Sequence, residues 1–347
     1  MEPPEGRSEP LAARHLAGYY SVVLVDLGRR TGALAAVLDG ADTPEAVARH
    51  AGLDARCALG WLSGMTAAGY LTHRGGRFRP TEETRATFSG ALGLDPGVVF
   101  EFARRLPELL PDVATAIRTG AGIRPERFHE VAGDLLERFN APVYDALLVP
   151  EWLASVPGLL EALEDGIEVA EFGCGRGHAC LLVGRTFPRS RITGFDIDGE
   201  SFDRGRKEID AALVTNVDLI EADVRALPGP RRYDLVLVLD SLHHFGDPAA
   251  VLDEAARVMR PGGRLVVVEP TQSGDLDVDT ADPASVVGYA GALVYCMQDS
   301  LAAGGPGYGV AIPAPEVDRL LAGAGLTVEP PYRASSGYTI YRAGRPR

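Results

Sequence analysis

Apolar residues recur at helical spacing along the first half of the chain and gather into short strand-like runs along the second. A helical pattern runs from Leu16 to Leu38, with the cluster Val22, Val23, Val25 and Leu27 and a break near Gly28. Thr43-Pro44-Glu45 reads as an N-cap followed by proline at the first helical position. It opens a short helix, Pro44 to His50, that ends at Gly52. A second helix is expected over Ala55 to Ala68, with Leu59, Leu62 and Met65 on one face and Gly69 as its C-cap. Tyr70-Leu71-Thr72 and Arg77-Phe78-Arg79 flank Gly75-Gly76 and predict a hairpin. Further helices are expected over Val98–Leu110, Pro111–Arg118 and Phe128–Leu148, with Gly120-Ala121-Gly122 as a loop. After Gly166 short apolar runs alternate with helical stretches, as βαβ units around a parallel sheet require. The expected strands are Ile167–Phe172, Arg191–Asp196, Asp218–Glu221, Tyr233–Leu239 and Gly263–Glu269, with Leu326–Pro330 and Tyr338–Arg342 pairing at the end.

These elements divide the chain into a disordered tail (1–12), a helix-helix-helix-hairpin module (13–92), a helical connector lining a substrate pocket (93–165) and an α/β domain (166–347). Residues 271–312 form an insertion in the last of these, read as a lid or as a solvated loop with one helix. The first module has the pattern of a winged helix, which often reads DNA. Charge argues otherwise. Residues 1–90 hold ten arginines against ten acidic residues, and the helix that would enter the groove carries Arg56 and little else that is basic. A packing or dimerisation role is expected, and the chain is expected to form a homodimer.

A net charge of −14 repels nucleic acid and anionic membrane surfaces. The apolar run Tyr19–Leu27 is too short to span a bilayer and contains Asp26, so no membrane partner is expected. Cys57, Cys174, Cys180 and Cys296 form neither a Cys-x-x-Cys pair nor a finger-like set with histidine, so no metal site is expected. Free thiols and the absence of a signal-like segment point to a cytoplasmic protein.

The chemistry concentrates where the first expected strand runs into Gly173-Cys174-Gly175-Arg176-Gly177. Alternate glycines let the backbone turn tightly and approach a ligand, and the helix that follows near His178 offers free N–H groups. The dinucleotide fingerprint Gly-x-Gly-x-x-Gly would need a glycine at His178. Glu171, two places before the first glycine, would repel a pyrophosphate and suit an ammonium group. Asp196 ends the second strand, where a carboxylate can accept both ribose hydroxyls. Asp223, after the third strand, can receive an adenine amino group, and the fourth strand opens at Asp240.

Residues 167–343 resemble the class I S-adenosylmethionine-dependent methyltransferases in the Glu-x-Gly-x-Gly-x-Gly loop, Asp196, Asp223-Val224, the Tyr233-Asp234-Leu235-Val236 strand and Arg260-Pro261-Gly262-Gly263. The resemblance implies a Rossmann-like α/β fold, a seven-stranded sheet with an antiparallel last strand, and S-adenosyl-L-methionine as cofactor. It implies that Glu171, Gly173, Cys174, Gly175 and Gly177 lie at the methionine moiety. Asp196 and Ile197 then lie at the ribose, Asp223 and Val224 at the adenine, and Asp240 and Ser241 at the cofactor edge. The winged-helix module before such a domain is similar to the layout of small-molecule O-methyltransferases.

Methyl transfer is an in-line displacement that needs positioning, and a hydroxyl acceptor benefits from a base. Leu242-His243-His244-Phe245 follows the fourth strand, and Asp247 caps a helix beginning at Pro248. In O-methyltransferases with a catalytic histidine, that residue falls at His243, and Glu269 takes the position of the acid that orients it. His244 is a second candidate base, and a purely structural His pair stays open. The expected function is methyl transfer to the hydroxyl of a small secondary metabolite. Two alternatives stand beside it: a non-methylating reaction on the same cofactor, and a ligand-responsive regulator.

Overall fold

A computed structural model describes residues 10–89, 96–132, 135–199, 202–230, 232–282, 285–309 and 311–346. The chain forms two compact units, Met1–Glu108 with Asp134–Pro142, and Leu109–Gly133 with Val143–Arg347.

In the first unit, α1 (Leu11–Thr31) and α2 (Ala33–Leu38) meet at Gly32, which holds φ 77°. The helix therefore begins inside the expected tail, whose residues 1–9 lie outside the described residues. It also runs unbroken through Gly28, where a break was expected. Gly28 is small because of packing: a Cβ there would lie 2.4 Å from Trp61 Cζ2. The Trp61 indole N–H donates to the Leu24 carbonyl at 2.8 Å, fixing the ring against α1. Asp26 interrupts the apolar run of α1 and pairs with Arg30 and Arg104.

Helix α3 (Pro44–Ala51) is capped by Thr43, whose hydroxyl accepts from the Ala46 N–H. Helix α4 (Ala55–Ala67) is capped by Asp54. Its buried face is Ala58, Trp61, Leu62 and Met65, while Leu59, expected there, is exposed. Strands β1 (Leu71–Arg74) and β2 (Arg77–Pro80) pair antiparallel about Gly75 and Gly76, both at positive φ as a two-residue hairpin demands. Helices α5 (Glu82–Phe88) and α6 (Pro96–Arg105) follow. Val25, Leu34, Val37, Val47, Leu62, Met65 and Phe78 form the core of this unit.

The second unit opens with α7 (Leu110–Thr119) and α8 (Pro125–Ala132). Helix α9 (Leu135–Leu147), whose first residues belong to the first unit, leads into a π-helical turn, Leu148–Leu153, and α10 (Leu159–Asp165). The α/β part then runs β3 (Glu168–Phe172), α11 (His178–Thr186), β4 (Arg191–Asp196), α12 (Phe202–Ala211), β5 (Val217–Glu221), β6 (Tyr233–Leu239), a 3-10 turn Leu242–His244, α13 (Pro248–Val258) and β7 (Met259–Pro270). The expected insertion carries three helices, α14 (Leu276–Asp279), α15 (Ser285–Val294) and α16 (Cys296–Ala302), where the loop reading foresaw one. Helix α17 (Ala314–Gly323) and strands β8 (Thr327–Val328), β9 (Tyr332–Arg333) and β10 (Tyr338–Gly344) complete it.

The sheet order is β5-β4-β3-β6-β7-β10-β8, with β9 added beside β10. Strands β3 to β7 are parallel, and β10 runs antiparallel to both β7 and β8. The fold is the Rossmann-like α/β architecture that the sequence predicted, with the antiparallel late strand. Helices on both faces explain why β6 is apolar almost throughout: a strand buried on both sides has no polar alternation. The chain leaves β3 towards β4 on one side, and β6 departs on the other, which opens a crevice at their carboxyl ends. No helix among the described residues is long and apolar enough to cross a membrane.

Candidate active site

The crevice is built from two loops. The first follows β3. Gly173, Gly175 and Gly177 have φ of 73°, 52° and 84°, a left-handed backbone that a side chain would strain. The Gly173 and Cys174 N–H groups donate to the Phe195 carbonyl, and Gly177 N–H donates back to the Cys174 carbonyl. Helix α11 then starts at His178 with no side-chain cap on its N-terminus.

Asp196 shapes this loop from β4. One carboxylate oxygen accepts the Gly175 N–H at 2.8 Å and the other accepts the Asp198 N–H at 3.0 Å. Burial pushes its pKa up, and these bonds hold it down in part. Glu171 is buried at the end of β3 and accepts from the Cys180 thiol at 2.9 Å. Burial raises its pKa to about 7, a value that an approaching ammonium group would lower.

The second loop follows β6. Asp240 stands at φ 50°, a left-handed turn that redirects the chain out of the sheet. Ser241 donates to the Phe172 carbonyl at 3.2 Å, tying this loop to the first. A Cβ on Gly173 would meet Ser241 Oγ at 3.0 Å and the Phe245 ring at 3.1 Å, so glycine is what lets the two loops close. The 3-10 turn carries His243, which is 2% exposed.

Glu269, fully buried near the end of β7, braces that turn with both oxygens. Oε1 accepts the Leu242 N–H at 3.0 Å, and Oε2 accepts from His243 Nδ1 at 2.7 Å. The bond fixes the tautomer and leaves Nε2 as the free nitrogen of the ring. Burial opposes charging of His243, but the charge and hydrogen bond of Glu269 outweigh it and raise the pKa above the ordinary 6.5. Asp247 accepts from Ala250 N–H and caps α13, as expected.

His244 pairs through Nδ1 with Asp299 of α16 at 2.9 Å. Burial and the neighbouring His243 oppose its charging, while Asp299 and Cys296 outweigh them and raise its pKa to about 9. Tyr295 closes over this ring, with ring centroids 5.2 Å apart, and packs edge-on against Phe128 on its other side. Tyr144 donates to the Leu239 carbonyl at 3.3 Å and stacks near His178.

Asp196, the glycine loop, Ser241, His243 and Glu269 thus come together. Ile197 is 70% exposed, and Val224 sits in the sheet's apolar core. Asp223 is bound bidentately by Arg225, which lowers its pKa. Asp299 was not foreseen at this edge, whereas Tyr295 lies in the insertion read as a lid or substrate wall and Tyr144 in the connector expected to line the pocket.

Comparison with known proteins accords with this geometry. Residues 169–263 match a family described as a methyltransferase domain. The fatty-acid O-methyltransferase of Mycolicibacterium smegmatis is 33% identical over 115 residues, which is 32% of this chain and 40% of that protein. The chain thus spans about two fifths of this curated relative. An O-methyltransferase family protein from Burkholderia thailandensis superposes with a TM-score of 0.69 at 20% identity, covering 98% of this chain and 99% of the other. CalO1, a methyltransferase in calicheamicin biosynthesis solved in its S-adenosylhomocysteine-bound form, gives 0.65 at 21%, covering 98% and 100%.

Proposed function

We propose that this chain, which carries a methyltransferase domain of the class that uses S-adenosylmethionine, transfers a methyl group to a hydroxyl oxygen of a small secondary metabolite, with His243 as general base. The observation that carries the reading is the buried Glu269–His243 pair, at 2.7 Å, beside the glycine loop.

Bound S-adenosylmethionine supplies an electrophilic methyl carbon on a sulfonium. The residues present fit it. The N–H groups at the start of α11 suit its carboxylate, and the buried Glu171 suits its ammonium. Asp196 holds Gly175 in its turn and would be the carboxylate for the ribose hydroxyls. With donor and acceptor bound, His243 Nε2 would take the proton from the acceptor hydroxyl. Glu269 keeps the ring in the required tautomer and stabilises the imidazolium. The two loops, pinned by Ser241, keep base and donor at fixed separation, which is the main requirement of an in-line displacement.

The acceptor oxygen is supported by the O-methyltransferase relative and by the base. Cytoplasmic location, a homodimer built by the winged-helix-like first unit, and a lid formed by residues 271–312 belong to the same reading. The test is calorimetric titration with S-adenosylhomocysteine, NAD serving as control, followed by product mass analysis over a panel of hydroxylated metabolites. Binding of the first alone, with a product heavier by one methyl group, supports the proposal. A product of unchanged mass overturns it in favour of a rearrangement on the same cofactor.

A further inference from the structure

We propose that His243, His244 and Cys296 form a binding site for a borderline-soft divalent transition metal such as Zn²⁺. One donor atom from each of the three residues lies within 4.8 Å of the other two. The imidazole rings stand 4.3 Å apart at a tilt of 39°. Tetrahedral zinc, with bonds of about 2.0–2.3 Å, sets neighbouring donors roughly 3.3–3.7 Å apart. Closing the cluster therefore takes side-chain movement of about 1 Å.

The stronger argument lies behind the donors. Each ring offers Nδ1 to its own carboxylate, His243 to Glu269 at 2.7 Å and His244 to Asp299 at 2.9 Å. Both are left with Nε2 as the nitrogen available to a metal. This is the carboxylate–histidine arrangement that orients metal-bound imidazoles and makes them better donors. The two braces come from different elements, Glu269 from β7 and Asp299 from α16.

The scaffold is also fixed. Cys296 is the first residue of α16 and Asp299 lies one turn on. The segment after the 3-10 turn lies so close to the end of that helix that a Cβ on Gly246 would lie 2.2 Å from the carbonyl oxygen of Ala303, its C-cap. One thiol sulfur and two imidazoles suit zinc, cobalt or copper and are poor partners for magnesium or calcium, which take oxygen ligands. Three protein donors leave the fourth position of a tetrahedron for water or a substrate oxygen.

Occupancy would hold His243 Nε2, the atom to which the acceptor's proton goes. Metal binding and methyl transfer then exclude each other, a consequence that rests on the base role proposed above, whereas the site itself does not.

Titrating metal-free full-length protein with Co²⁺ reads the site directly. The expected result is saturation at a single equivalent, with intense visible absorption of a tetrahedral ion and a near-ultraviolet sulfur-to-cobalt charge-transfer band. Cys296→Ser should abolish that band, and Cys57→Ser should leave it intact. Asp299→Asn, which keeps all three ligands, should weaken Co²⁺ binding by about 10–100-fold. Circular dichroism establishes that each variant is folded. Absence of the band in the wild type, or its survival in Cys296→Ser, overturns the site. A wild-type protein that binds Co²⁺ yet methylates at full rate overturns the base reading and leaves the metal site standing.

Discussion

Glu269 holds His243 through Oε2 at 2.7 Å while its other oxygen holds the backbone one residue earlier, so a single buried carboxylate positions both the ring and the turn that bears it. Removing this group should therefore act on the chemistry and on the loop together. We expect Glu269→Gln, which preserves shape and loses charge, to lower kcat while leaving S-adenosylhomocysteine affinity near the wild-type value. His243→Ala should cost about 10²–10⁴-fold in kcat. Steady-state kinetics beside calorimetry separates the two effects, and an unchanged kcat in His243→Ala would remove it from the mechanism.

The same pair sets a pH dependence. A base must be neutral, and His243 has its pKa raised above 6.5. The rate should therefore fall as pH drops, with its half-maximal point above 6.5. Glu269→Gln should move that point down, because the charge that favours the imidazolium is gone. Folding stability runs the opposite way: the His243–Glu269 contribution is complete at low pH and is lost as pH rises through the folded-state value. A rate profile centred below 6.5 in the wild type would contradict the assignment.

Asp196 acts through backbone. In Asp196→Ala the N–H groups of Gly175 and Asp198 lose their acceptor. An unsatisfied buried group costs about 1–3 kcal/mol. We expect S-adenosylhomocysteine to bind roughly ten- to a hundredfold more weakly, measured by calorimetry. Affinity equal to wild type would mean that the ribose lies elsewhere.

Two glycines of α1 should respond with opposite sign. Gly28→Ala drives a methyl into the Trp61 indole and should destabilise the first unit by about 1–3 kcal/mol. Gly18→Ala meets nothing within 4 Å and removes a helix-interior glycine, which should stabilise by about 0.5–1 kcal/mol. Thermal melts of the two variants check this, and a shift of the same sign in both would refute the packing account.

How legible these features were depends on how local their causes are. Strands Arg191–Asp196 and Tyr233–Leu239 were read to the residue, and the second is a nearly continuous apolar run because it is buried on both faces. The caps at Thr43 and Asp247 were equally plain, since each lies within three residues of the N–H that it accepts. Strand β9, only Tyr332–Arg333, exists through its pairing with β10 and leaves no pattern of its own. The continuity of α1 through Gly28 depends on Trp61, on another helix. At the site, the glycine loop was readable because it ends a strand, and His243 and Glu269 through the resemblance to O-methyltransferases with a catalytic histidine. The brace of Asp299 on His244 spans a sequence distance that no local pattern reports.

The antiparallel seam between β7 and β10 has a further consequence. Residues Leu265–Val268 are buried and pair with Ile340–Ala343 of β10, and the connection between the two strands contains four helices and two short strands. As the polypeptide is made, β7 emerges long before its neighbour. Until β10 arrives, a Leu-Val-Val-Val edge with unpaired amides is open to pairing with another nascent chain. Expression at reduced temperature or with a holdase chaperone should therefore raise the soluble yield, and the sensitivity should vanish in refolding of the full-length chain at high dilution.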